Sequence, residues 1–83
     1  MTIGTSVQWT SQSKGYSVTK FGKIVGVIPS MTSPFTVLNG LKWRMAYPIT
    51  GAPRLEESYI VLVGGKYLYW PRTDQLKPTG EPT

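Results

Sequence analysis

The 83-residue chain contains no cysteine and no histidine. The first absence excludes disulfide staples and thiolate chemistry, and leaves the redox compartment unreadable from cysteine usage. Without either residue the usual zinc sites, the Ser-His-Asp and Cys-His arrangements and imidazole acid/base catalysis are also excluded. Carboxylates are scarce: Glu56, Glu57, Asp74 and Glu81 are the only ones, and none occurs in the first 55 residues. Glu56 and Glu57 are adjacent, so in an extended segment they point to opposite faces and cannot converge as an acid/base pair. Gly22-Lys23 and Gly64-Gly65-Lys66 lack Walker spacing and a following helix, and both read as turns. No enzyme constellation, cofactor site or metal site is expected. No apolar run approaches the roughly 18 residues of a membrane span, and Met1 to Ser6 has no basic segment followed by an apolar one. The expectation is a soluble, cytoplasmic protein without a membrane segment.

What remains is small, basic and rich in β-formers. A domain of this size buries roughly 60 to 65% of the surface its unfolded chain exposes, so its core is thin and surface binding is the default expectation. The net charge is +5. Lys14, Lys20, Lys23, Lys42, Arg44 and Arg54 lie in the carboxylate-free part, and this asymmetry points to an acidic partner, nucleic acid or a negatively charged protein surface.

The strongest local signal is Ser58 to Trp70, two β-type runs joined by Gly64-Gly65. Both glycines can take positive φ, as a two-residue type I′ turn requires. Such a turn sets Leu62 opposite Tyr67 and Ile60 opposite Tyr69. One face then carries Ile60, Leu62, Tyr67 and Tyr69, the other Tyr59, Val61, Val63, Leu68 and Trp70. Both faces are apolar, so the chain must cover each or keep one as a binding surface.

Upstream, Thr5 to Thr10 alternates as a strand with Val7 and Trp9 on one side, and Ser11 to Gly15 reads as a loop. Tyr16 to Phe21 is a weaker strand or extended loop. Gly22 to Ile28 is a strand, with Ile24, Gly26 and Ile28 on one face and Val25 and Val27 on the other; Gly26 suggests a bulge. Between residues 30 and 53 two readings compete. Ser33-Pro34 suits the start of a short helix stopped at Asn39-Gly40, and Phe35 to Met45 suits a hairpin on that same Asn-Gly pair. Pro71 to Leu76 reads as one tight helical turn returning Leu76 to the core. The expected organisation is one domain over 1–77 with a disordered tail over 78–83, where two prolines and no large apolar residue occur.

Gly4, Val7 and Trp9, followed by Lys20, Gly22, Ile24 or Val25, and Val27, resemble the Gly-x-x-Val-x-Trp and Lys-x-Gly-x-Val-x-x-Val patterns of SH3-like barrels of the KOW or Tudor kind. Tyr69-Trp70-Pro71 through Leu76 is similar to the last strand, short 3₁₀ turn and final strand of that barrel. The resemblance covers about 50 of the 83 residues. It implies an all-β, small SH3-like barrel of about five strands with an inserted hairpin or short helix between residues 30 and 53. Trp-Thr-Ser-Gln near the start and Leu-Tyr-Trp-Pro-Arg near the end also resemble small proteins carried by bacteria and their phages, a family that brings no assigned activity.

Single-stranded nucleic acid is held by stacking on aromatic rings and by phosphate contacts from Lys and Arg. Tyr16, Trp43, Tyr47, Tyr67 and Tyr69 with Lys14, Lys20, Lys42, Arg44 and Arg72 are the residues that could form such a platform. Trp9 and Trp70 belong to the core, and Trp43 suits either a buried strand or an exposed reader. The functional expectation is a non-catalytic module binding nucleic acid or a nucleoprotein. The alternatives are a phage-borne stoichiometric inhibitor of a host defence complex and a minor virion protein.

Overall fold

The computed structural model describes residues 2–13, 15–49 and 51–79. In chain order the elements are β1 (Ser6–Ser13), β2 (Tyr16–Ile28), α1 (Phe35–Leu38), β3 (Arg44–Met45), β4 (Ser58–Val63), β5 (Tyr67–Tyr69), a 3₁₀ turn (Thr73–Gln75) and β6 (Lys77–Pro78). The protein is a small all-β fold built on one six-stranded sheet of order β3-β5-β4-β2-β1-β6. All neighbours are antiparallel except β3 and β5.

The hairpin of β4 and β5 lies inside this sheet, between β3 and β2, and both its faces are covered. On one side Val7, Trp9, Ile24, Tyr59, Val61 and Leu76 form a core, with Val27, Val63 and Tyr69 packed against it. On the other, Ile28, Ile60, Leu68 and Trp70 form a second core, covered by the segment that carries Val37, Leu38, Leu41, Trp43, Met45 and Ile49. The expected need for two covers is met.

The register of that hairpin differs from the expected one by a residue. Gly64 and Gly65 take φ of 66° and 69°, as a type I′ turn demands, and the Lys66 N–H donates to the Val63 carbonyl at 3.3 Å. The ladder, however, pairs Val63 with Tyr67, Leu62 with Leu68 and Val61 with Tyr69, so Lys66 is an extra residue. A one-residue slip moves every side chain of the strand to the opposite face. Tyr67 and Tyr69 therefore share a face with Val61 and Val63, while Leu68 enters the second core beside Ile60. The slip leaves the Lys66 side chain at the exposed turn.

A bulge falls where Gly26 suggested one, between Ile24 and Gly26. Its effect is to divide the faces differently from simple alternation. Ile24 and Val27 pack into the first core, Val25 and Ile28 into the second. Gly26 faces α1: a Cβ there would sit 2.7 Å from Val37 Cγ1. The β1–β2 hairpin is also longer than expected, because Ser13 pairs with Tyr16 and only Lys14 and Gly15 separate the strands. The polar stretch Ser11 to Ser13 is thus strand, with Tyr16 to Phe21 as its partner.

Residues 33–41 take the helical alternative rather than the hairpin. Asn39 has φ of −62°, a helical value, and its N–H donates to the Phe35 carbonyl at 3.0 Å. A hairpin turn at Asn39-Gly40 would need positive φ at both residues. Ser33 Oγ accepts from the Phe35 N–H at 3.4 Å, and Pro34 occupies the first turn. Two residues of the expected disordered tail, Pro78 and Thr79, are instead held against β1. Val7 pairs with Pro78 and the Thr79 N–H donates to the Ser6 carbonyl at 3.0 Å, while residues 80–83 lie outside the described residues. Among the described residues no helix is long and apolar enough to cross a membrane.

Candidate ligand-binding groove

Tyr69 is the residue around which a groove forms. Its ring centroid lies 5.7 Å from that of Trp9 and 5.8 Å from that of Tyr47, both tilted, at 56° and 60°. These are edge-to-face arrangements, which aromatic quadrupoles favour over a flat sandwich. Lys20 Nζ sits 5.7 Å from the Tyr69 ring centroid, and Lys20 is placed there because it pairs with Trp9 across the β1–β2 ladder. Arg72, just before the 3₁₀ turn, Gln75, its last residue, and Trp70 and Pro71 complete the lining. The space enclosed is about 370 Å³.

Four of the expected platform residues meet in this groove: Lys20, Tyr47, Tyr69 and Arg72. The others do not. Arg44 pairs with Tyr67 at the sheet edge beside the groove, and Tyr67 is half exposed. Trp43 packs against the second core with Lys42 Nζ over its ring at 5.2 Å, so neither belongs to the groove. Tyr16 stands at the far end of the β1–β2 hairpin, 74% exposed. Lys14 lies outside the described residues. The single platform is thus corrected to a groove with outlying residues, because the tyrosines of β5 and the tryptophan after α1 end on opposite sides of the sheet.

Trp9 and Trp70 are core residues as expected, at 5% and 6% exposure, yet each also presents an edge to the groove. Trp70 is held twice. Its indole N–H donates to the buried Ser58 Oγ at 2.9 Å, and its backbone N–H donates to the Tyr47 hydroxyl at 3.1 Å. Arg54 completes the support. Its guanidinium carbon lies 3.7 Å from the Trp70 ring centroid, with Nη1 donating to the Pro71 carbonyl at 2.8 Å and Nη2 to the Trp70 carbonyl at 3.0 Å. Sequence reasoning assigned Arg54 only to the general positive charge. Its partners lie 16 and 17 residues away, so no local pattern could reveal them.

A larger depression of about 580 Å³ lies between Arg54–Glu56 and Arg72–Asp74, but it brings together no aromatic ring. It contains the exposed ion pair of Arg72 Nε with Asp74 Oδ1 at 3.5 Å, of a kind that contributes little to stability. Of the neighbouring glutamates, Glu57 is tied to the fold. Glu57 Oε1 accepts a hydrogen bond from the Tyr59 hydroxyl at 2.8 Å, and the Glu57 carbonyl accepts one from Thr73 Oγ1 at 2.9 Å.

The hydrogen bond to the Glu57 carboxylate, then burial, then the carboxylate charge hold Tyr59 above the ordinary 10.0. A raised folded-state pKa stabilises the fold below the unfolded value, and that contribution is lost as pH rises through the folded one. Ultraviolet titration should therefore show a tyrosine ionising above pH 10.0, and Glu57→Ala should bring it down toward that value. An unchanged titration in the variant would show that Glu57 does not set it.

Among the described residues no group of three or more carboxylates lies close enough to hold a metal ion. Scanned against family models, curated proteins and solved structures, the chain matches none.

Proposed function

We propose that the protein is a non-catalytic binding module of SH3-like type whose groove holds single-stranded nucleic acid. The SH3-like reading is supported by the strand order β5-β4-β2-β1-β6 and by the 3₁₀ turn immediately before the last strand. The observation that carries the functional reading is the Tyr69 ring, flanked edge-on by Trp9 and Tyr47 with the Lys20 ammonium beside it and Arg72 across the groove. A base stacks against the aromatic group while the two cations meet the flanking phosphates. Arg44 beside Tyr67 repeats the pairing of ring and cation two residues along β5, where an extended strand would continue.

The test is binding of a short labelled single-stranded oligonucleotide, followed by fluorescence anisotropy across a salt series. Affinity should fall with a log-log slope of about −0.7 per phosphate neutralised. Lys20→Ala and Arg72→Ala should each flatten that slope by about 0.7. Tyr69→Ala should weaken binding by roughly 1 to 3 kcal/mol at unchanged slope, because stacking releases no counterions. Lys42→Ala, on the other side of the sheet, should leave both quantities alone. Absence of binding at about 50 mM salt with micromolar protein would overturn the proposal.

A further inference from the structure

β2 has 13 residues, but β4 pairs with it only from Lys23 onward. From Tyr16 to Phe21 the ladder joins it to β1 alone, so one edge of that stretch is open among the described residues; at Gly22 the Leu62 carbonyl of β4 already closes in. The direction of its backbone groups follows from the hydrogen bonds at its middle. The Ile24 N–H donates to the Thr5 carbonyl at 3.0 Å and the Ile24 carbonyl accepts from the Gly4 N–H at 2.8 Å, so Ile24 faces the β1 side. In an antiparallel strand alternate residues direct both N–H and C=O to opposite edges. Val18 and Lys20 therefore bond toward β1, and Ser17, Thr19 and Phe21 present theirs to the open edge.

An edge of this kind is a template for another strand unless it is blunted by proline, by a bulge or by several charges. Tyr16 to Phe21 contains no proline and one charge, Lys20, and it carries three exposed apolar side chains, Tyr16, Val18 and Phe21. The bulge lies beyond it, between Ile24 and Gly26. Its surroundings are of one sign: Lys20 within the segment, Lys23 at its end and Lys66 at the exposed β4–β5 turn, in a chain with no carboxylate before Glu56. A second copy would bring the same cations against these. We infer that the open edge of β2 from Ser17 to Phe21 accepts an extended acidic strand of a partner protein, by strand addition. Main-chain hydrogen bonds to Ser17, Thr19 and Phe21 supply the affinity, and Lys23 at the end of the edge selects a carboxylate on the added strand. This site is separate from the Tyr69 groove and stands or falls without it.

The probe is a short peptide of alternating valine and glutamate, blocked at both ends, titrated into the intact protein. Amide hydrogen exchange followed by NMR should slow at Ser17, Thr19 and Phe21 and stay constant at Val18 and Lys20. A peptide with lysine in place of glutamate should bind at least about tenfold more weakly. Thr19→Pro should abolish the binding and lower the melting temperature by no more than the exposed Thr10 Oγ1–Thr19 Oγ1 hydrogen bond contributes, because the Thr19 N–H makes no bond to β1 and proline is tolerated at such an edge position. N-methylation of the peptide amides that face β2 gives the same answer without altering the protein, and must also abolish binding. Protection without the period of two, or none at millimolar peptide, would overturn the inference. So would concentration-dependent protection of the same amides in the protein alone, which would assign the edge to a second copy.

Discussion

Ile60→Ala is expected to remove a large share of the protein's stability and to lower its urea midpoint sharply. Ile60 is fully buried, stands in the middle of β4 and packs in the second core with Ile28, Leu68 and Trp70. Truncating a buried isoleucine costs about 2 to 5 kcal/mol, the transfer of the lost methyl groups plus the cavity left behind. A chain this short has a total stability of roughly 4 to 12 kcal/mol. The cavity cannot close easily: Ile60 Cβ and Cγ1 lie 3.5 and 3.7 Å from where a Cβ on Gly26 would be, so the opposite strand is already in close approach. Leu62, two residues along, is only partly buried, and Leu62→Ala should cost about 1 to 2 kcal/mol. Urea denaturation of the two variants checks the order. A larger loss for Leu62→Ala would mean that the hairpin turns its other end to the core.

The pattern that identifies this hairpin could not settle its register, and the reason is physical. When one face of a strand is polar, a slip of one residue exposes the core and is excluded. Here both faces are apolar, so either register buries a full set of side chains. Gly64 and Gly65 do not decide the matter, since a type I′ turn closed by Lys66 N–H to Val63 O still allows Lys66 to be counted as an extra residue. The same ambiguity affected β2. Gly26 marked where the bulge falls, but which neighbours it would turn over depends on α1, whose Val37 lies against the glycine.

Between Ser33 and Met45 the two local signals were nearly balanced, and packing decided. The helix turns Val37, Leu38 and Leu41 onto the second core, which would otherwise lack its cover. The tail was misread for the converse reason. Pro78 and Thr79 bring no large side chain, and what holds them is backbone pairing to the edge of β1, which composition does not report. The groove was half legible. Tyrosines interleaved with cations were visible as residue types, but the grouping of Lys20 with Tyr69 depends on the β1–β2 ladder placing Lys20 opposite Trp9. Trp9 and Trp70 read from the sequence as core residues alone, whereas both also line the site.

Arg54→Ala is expected to cost about 2 to 4 kcal/mol and to loosen the groove wall. The guanidinium bridges two consecutive carbonyls, Trp70 and Pro71, at 3.0 and 2.8 Å, and lies 3.7 Å from the indole ring centroid. Hydrogen bonds from a charged donor are worth about 1.5 to 3 kcal/mol, and a cation over an indole adds roughly 0.5 to 2. The sum is discounted because Arg54 is only partly buried and water reaches the carbonyls once it is gone. The loss would extend to the other end of the connection, since the Arg54 carbonyl accepts the Met31 N–H at 2.7 Å and Met31 is held there with φ of 61°. Arg54→Lys should recover less than half of the stability: a lysine ammonium has no planar fork to reach both carbonyls and does not stack flat on the ring. Oligonucleotide binding should weaken in both variants at constant salt slope, because Arg54 supports the wall formed by Trp70 and Pro71 and does not meet the phosphates. Thermal unfolding followed by tryptophan fluorescence, with the salt series repeated on each variant, separates these effects. An Arg54→Lys protein as stable as the parent would show that charge alone, not the bridge between the two carbonyls, is what this position supplies.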